Sequence, residues 1–129
     1  MVAKCLNAEG CVADMYCPLK KRQAFKVVYS QGKYSANELF VVYALANKTD
    51  RHRLGLSVSK KVGNAVVRNR IRRWLKENFR LMVGDMMAAK GYDLIIVARA
   101  PVSLLPKDGA FQKIGESVQQ LFRKHGLFS

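Results

Sequence analysis

Residues 55–80 read GLSVSKKVGNAVVRNRIRRWLKENFR, and the two halves of this stretch obey different periods. From Arg53 to Ser59 the chain alternates, with Leu54, Leu56 and Val58 on one side and Gly55, Ser57 and Ser59 on the other. A period of two is that of a half-buried strand. After Gly63 and Asn64 the period changes. At about 100° per residue from Val67, the residues Ile71, Trp74, Leu75, Asn78, Leu81 and Met82 fall within about 80° of it. The spacing predicts a long helix over 65–83 with Asn64 as its N-cap. Arg68, Asn69, Arg70, Arg72, Arg73, Lys76 and Arg80 fill most of the remaining arc. Like charges at i,i+4, such as Arg68–Arg72 and Arg72–Lys76, each cost an isolated helix about 0.2–0.5 kcal/mol. A cost carried repeatedly points to a polyanion that offsets it.

The rest of the chain supports that reading. Its 129 residues amount to one domain, and half are hydrophobic, so a packed core is within reach. Lys and Arg number 23 against 9 Asp and Glu, a net charge of +14. The charge is concentrated: residues 51–80 carry ten basic residues and one acid, Glu77, and residues 18–34 carry five basic residues and no acid. A solvated helix face normally mixes both signs, and this one does not. Arg outnumbers Lys on the helix, and its planar fork suits phosphate and stacks on bases. A DNA recognition helix exposes more varied base-reading side chains, so recognition of RNA backbone and shape fits better.

Working outward, residues 1–17 lack clear periodicity and read as a flexible extension, leaving 18–129 as a single domain. Cys5, Cys11 and Cys17 are odd in number and spaced unlike zinc ligands. A helix is expected from Pro18 to a stop at Gly32, with Ala24, Phe25, Val28 and Tyr29 at helical spacing. Leu39 to Ala46 reads as a strand, expected to pair antiparallel with 53–59 across a short turn. Tyr92 to Arg99 is a near-continuous apolar strand, as when both faces are covered. Residues 100–109 form a loop with two prolines, and a last amphipathic helix runs over 110–124. The expected class is α+β, an α/β sandwich of a mixed sheet with about three helices. No apolar run reaches the length of a membrane span, and no signal peptide is evident, so a reducing cytoplasm is expected.

Residues 55–80 closely resemble the signature of the bacterial ribonuclease P protein subunit. Its core here is Arg68-Asn69-Arg70, preceded by Lys60-Lys61-Val62-Gly63-Asn64 and followed by Arg72-Arg73. The resemblance extends over about 18–125, through the helix bearing Phe25 and Tyr29 and the strand bearing Phe40 and Tyr43. It implies a fold like the second domain of ribosomal protein S5, with a left-handed βαβ crossover, against the usual hand. It implies a role in maturing the 5′ end of precursor tRNA, with chemistry carried by an RNA subunit and the isolated chain not cleaving. Two surfaces follow from it. Lys61, Asn64, Arg68, Asn69, Arg70, Arg72, Arg73 and Lys76 resemble the side that meets the catalytic RNA. Phe25, Tyr29, Phe40, Tyr43, Ser57 and Lys60 resemble the cleft that holds the single-stranded 5′ leader. Phe25 and Tyr29 share a helix face, and such rings either stack bases or simply serve the core. The implied cofactor is Mg²⁺, held mainly by the RNA subunit. The expected partners are that RNA and precursor tRNA, with no membrane and no obligate protein partner.

Other readings compete. A generic basic RNA-binding module, ribosomal or chaperone-like, would bind RNA without promoting tRNA cleavage. A membrane-surface helix would need an exposed apolar face. Catalysis by the chain itself would need converging carboxylates or a partnered histidine. The nine acids are scattered, and neither His52 nor His125 has an evident partner in sequence.

Overall fold

A computed structural model describes residues 16–19, 21–47, 52–83 and 91–125. The elements, in order, are β1 (Tyr16–Pro18), α1 (Arg22–Gln31), β2 (Lys33–Ala36), β3 (Phe40–Ala46), β4 (His52–Val58), α2 (Ala65–Val83), β5 (Tyr92–Ala98) and α3 (Ala110–Lys124). A short 3₁₀ turn spans Ala100–Leu104. One mixed five-stranded sheet runs in the order β1-β4-β5-β3-β2. The α+β class with three helices is the one the sequence predicts, and α2 and α3 have the predicted bounds.

The pairing differs from expectation in an instructive way. β3 and β4 are consecutive in sequence but do not pair. β5 lies between them, antiparallel to β3 and parallel to β4. Among the described strands, the apolar run Leu94-Ile95-Ile96 suits the middle, because its residues bury on both faces. β4, with Arg53, Leu56 and Ser57 only half-buried, is less suited to that place. The unit β4–α2–β5 therefore joins adjacent parallel strands through a helix.

Two further elements were not legible. β1 pairs in parallel with β4 through Tyr16↔His52 and Pro18↔Leu54. The sheet thus begins at residue 16, and the expected boundary after residue 17 cuts through a strand. A helix cannot start at Pro18, because Pro18 is in β1; α1 starts at Arg22. Residues 1–15, which hold Cys5 and Cys11, lie outside the described residues. β2 is the second surprise, a four-residue edge strand antiparallel to β3. Gly32 ends α1 as expected, but not through a left-handed turn. Its N–H donates to the Val28 carbonyl at 2.8 Å, and a Cβ there would lie 2.6 Å from that oxygen and 2.9 Å from the Ala44 carbonyl. Close approach, not backbone conformation, requires glycine here.

The sheet has a helix layer on each face. On one face, α2 and α3 enclose the main core of Phe40, Val42, Leu54, Leu94, Ile96, Ile71, Leu75, Phe79, Ile114 and Phe122. Phe79 and Phe122 meet edge-on, with ring centroids 5.9 Å apart. Asn78, buried between the helices, donates to the carbonyls of Trp74 and Phe111 at 3.0 and 3.1 Å. On the other face, α1 covers only a small core of Leu19, Val28 and Ile95.

Candidate nucleic-acid interface

The first surface is the outer side of α2. Asn64 caps the helix as expected: the Val67 N–H donates to its Oδ1 at 3.0 Å. That oxygen serves the helix, so Asn64 shapes the surface more than it supplies charge to it. The buried arc is centred nearer Leu75 than Val67. Phe79, about 120° from Val67, is fully buried, while Leu81, about 40° the other way, is 56% exposed. The expected apolar stripe gains Phe79 and loses Leu81.

The cations occupy the remaining arc. Asn69, Arg73 and Lys76 are exposed, and Arg68, Arg70 and Arg72 are half-buried. Several are already held in place. The Arg68 Nε–H donates to the Gly63 carbonyl at 3.1 Å. Arg72 reaches the Asn69 carboxamide oxygen at 3.4 Å. Arg70 lays its guanidinium over the Trp74 ring, 5.5 Å from the centroid, with its Nε buried and without a partner. Glu77 pairs with Arg80, which holds its carboxyl below the usual range through a hydrogen bond. The helix's one acid is thereby cancelled within its own last turns, and Arg68 to Lys76 stay uniformly positive.

The second surface lies on the α1 face of the sheet. Register places Gly55, Ile95, Tyr43 and Tyr34 in one row across β4, β5, β3 and β2. The next row is Ser57, Val97, Val41 and Ala36, none of them buried. Helix α1 sets aromatic rings along this floor. Phe25 lies directly on Gly55, where a Cβ would come within 2.5 Å of its ring. Tyr29 stands 6.2 Å from Phe25 and edge-on to Tyr43 at 4.8 Å. Burial pushes the Tyr29 phenol up, a hydrogen bond with the Ser57 side chain opposes this, and Tyr43 adds to it. Tyr34 continues the file, 5.7 Å from Tyr43. Lys60 and Lys61, both exposed, follow the end of β4, and the exposed Arg99 follows the end of β5.

Five of the six residues expected at the leader cleft are thus brought together on or beside one floor. Phe40 is not among them. It is fully buried in the main core, on the α2/α3 face. Phe40 and Tyr43 are an odd number of residues apart on one strand, so their side chains point to opposite faces. Tyr34 and Arg99 were missed, because β2 gave no alternation and Arg99 sits just past a strand end. Among the described residues no three of His, Cys, Asp and Glu gather as a metal site. His52 and His125 are engaged structurally. The Tyr92 N–H donates to His52 Nδ1 at 3.1 Å, and His125 Nε2 lies 3.1 Å from Ser35 Oγ and 3.2 Å from the Val42 carbonyl.

The family model described as Ribonuclease P matches residues 16–126. The chain belongs to the bacterial ribonuclease P protein family. A ribonuclease P protein component of Clostridium kluyveri is 44% identical over 115 residues, 89% of this chain and 98% of that protein. One from Clostridioides difficile is 44% identical over 82% of this chain and 89% of that protein. Among solved structures, the ribonuclease P protein of Staphylococcus aureus superposes with a TM-score of 0.76 at 37% identity, over 87% of this chain and 97% of that one. The Thermotoga maritima protein gives 0.70 at 32% identity, over 80% and 92%. The chain is accordingly a protein subunit of ribonuclease P, an RNA-binding component of a tRNA-processing ribonucleoprotein. The match begins at residue 16, where β1 begins. Nothing in these relatives favours the generic RNA-binding module. Among the described residues no helix is long and apolar enough to cross a membrane.

Proposed function

We propose that the chain holds two RNAs at once: the catalytic RNA subunit on the outer side of α2, and the 5′ leader of precursor tRNA on the α1 face of the sheet. The observation that carries this reading is the placement of two chemically different surfaces on opposite sides of one sheet. One is a rigid arginine array suited to phosphates. The other is a half-covered floor with aromatic rings and cations at its margin, suited to a single strand. Residues for the first are Lys61, Arg68, Asn69, Arg70, Arg72, Arg73 and Lys76, with Asn64 as the cap. Those for the second are Phe25, Tyr29, Tyr43, Ser57 and Lys60.

On this reading hydrolysis belongs to the RNA subunit, and the complex acts in the cytoplasm. Mg²⁺ is held mainly by RNA, since the chain's own acids are scattered or paired. Asp93 is engaged by Arg53 at 2.7 Å and by Asn47 at 2.8 Å. The protein contributes affinity for precursor over mature tRNA, and it screens phosphate repulsion so that less Mg²⁺ is needed.

The test is single-turnover cleavage of precursor tRNA at low Mg²⁺ with a bacterial ribonuclease P RNA. Strong stimulation is expected only when RNA and protein are both present. Tight RNA binding without stimulation would refute the leader role, and cleavage by protein alone would overturn the assignment of chemistry to RNA.

A further inference from the structure

The aromatic file does not stop at the residues that the leader reading uses. Tyr34 stands directly opposite Tyr43 in the register of the β2–β3 pair. Its ring is tilted 32° from the Tyr43 ring at 5.7 Å, yet the residue is 67% exposed, against 40% for Tyr29. It therefore leans on Tyr43 with one side and offers the other to solvent. β2 is the edge strand of the sheet among the described residues. A cross-strand partner for Tyr43 needs only bulk; a flat exposed ring supplies a stacking face as well.

Its surroundings match a nucleotide chain. Val41, Val97 and Ala36 form the adjoining low floor, and Arg99 lies on the same face two residues beyond Val97. Arg99 Nη1 donates to the carbonyl of Asn37, just past the end of β2, at 2.9 Å. That bond anchors a guanidinium at the same edge as Tyr34, with donors left over for a phosphate.

Position gives this pair its meaning. β4 leads through Lys60 and Gly63 into α2, whereas β2 lies three strand spacings from β4, about 14 Å across the sheet. From these placements we infer that Tyr34 is an outer stacking position for the 5′ leader, taking a base farther from the cleavage site than those near Tyr29 and Tyr43. The inference rests on the leader reading above and extends it to longer leaders. A short leader ends before β2, and a longer one gains the Tyr34 contact.

The experiment measures the affinity of the reconstituted holoenzyme for precursor tRNAs whose leaders grow by one nucleotide at a time, with mature tRNA as reference. The variants are Tyr34→Ala, Tyr34→Leu, Tyr34→Phe and, separately, Tyr29→Ala. Thermal unfolding confirms that each is folded. Wild type is expected to gain affinity at a leader length where Tyr34→Ala does not, leaving that variant about five- to tenfold weaker on long leaders and unchanged on short ones. Tyr34→Phe keeps the gain, and Tyr34→Leu, which keeps bulk but not a flat ring, loses it. If Tyr34→Ala matches wild type at every length, or weakens all lengths and mature tRNA equally, while Tyr29→Ala remains leader-dependent, the Tyr34 position is refuted and the leader surface stands. If Tyr29→Ala is also independent of leader length, the leader surface itself falls.

Discussion

The two faces of the sheet are built from the same strands and covered very differently. On one, α2 and α3 seal Phe40, Val42, Leu54, Leu94 and Ile96 against large helix residues, and every one of these is buried. On the other, α1 has ten residues, a cylinder about 15 Å long and 10 Å wide. Five strands at about 4.8 Å spacing present a wider surface than that. The uncovered part carries Tyr34, Tyr43, Ser57 and Val97, at least partly exposed, with Tyr29 of α1 at its border. One face is closed by protein, and the other is left half-covered. The same contrast separates the two sides of α2, where Leu75 and Phe79 serve the core and the arginines face outward.

Two aromatic truncations test that contrast most strongly. Phe79→Ala removes a fully buried ring and is expected to cost about 3–5 kcal/mol of stability. Phe25→Ala, on the half-covered face, should cost only about 1–2 kcal/mol. Denaturant unfolding of both variants gives the ratio, and equal losses would show that the α1 face is core after all.

Next in size is the double substitution Arg68→Ala with Arg72→Ala. It should weaken binding of the RNA subunit about tenfold or more at moderate salt and lower the slope of log K against log salt by about 2. Cooperative unfolding should persist. Lost cooperativity with an unchanged salt slope would make these arginines structural.

The smallest effect concerns pH. Burial holds His52 below its ordinary value of 6.5. Burial does the same for His125, with the Val42 carbonyl opposing and Lys33 assisting. Both are thus favoured as neutral groups in the fold, and the unfolded chain binds protons more readily. Their stability contribution is present above the ordinary histidine value and is lost as pH falls toward the lowered one. Tm should fall between about pH 7 and pH 5. His52→Asn, which keeps an acceptor for the Tyr92 N–H, should flatten part of that fall. An unchanged profile would exclude His52 as the source.

Much of this molecule is determined by sequence alone. α2 and α3 have a clear helical period over many turns, so a local rule sufficed for their bounds. The cationic arc needed nothing beyond the same wheel. The motif around Arg68-Asn69-Arg70 named the family, which the relatives then showed.

Tertiary structure decided the rest, because strand pairing is settled by which strand can be buried on both faces, not by order along the chain. That put β5 between β3 and β4 and recruited residues 16–18 and 33–36, segments too short to show a period. It turned Phe40 away from the α1 face, since a strand's alternation assigns each residue a face only once the neighbouring helices are in place. It also aligned Tyr34, Tyr43, Ile95 and Gly55, four residues from four strands, into one row. No local pattern connects them; only the hydrogen-bond register of the sheet does.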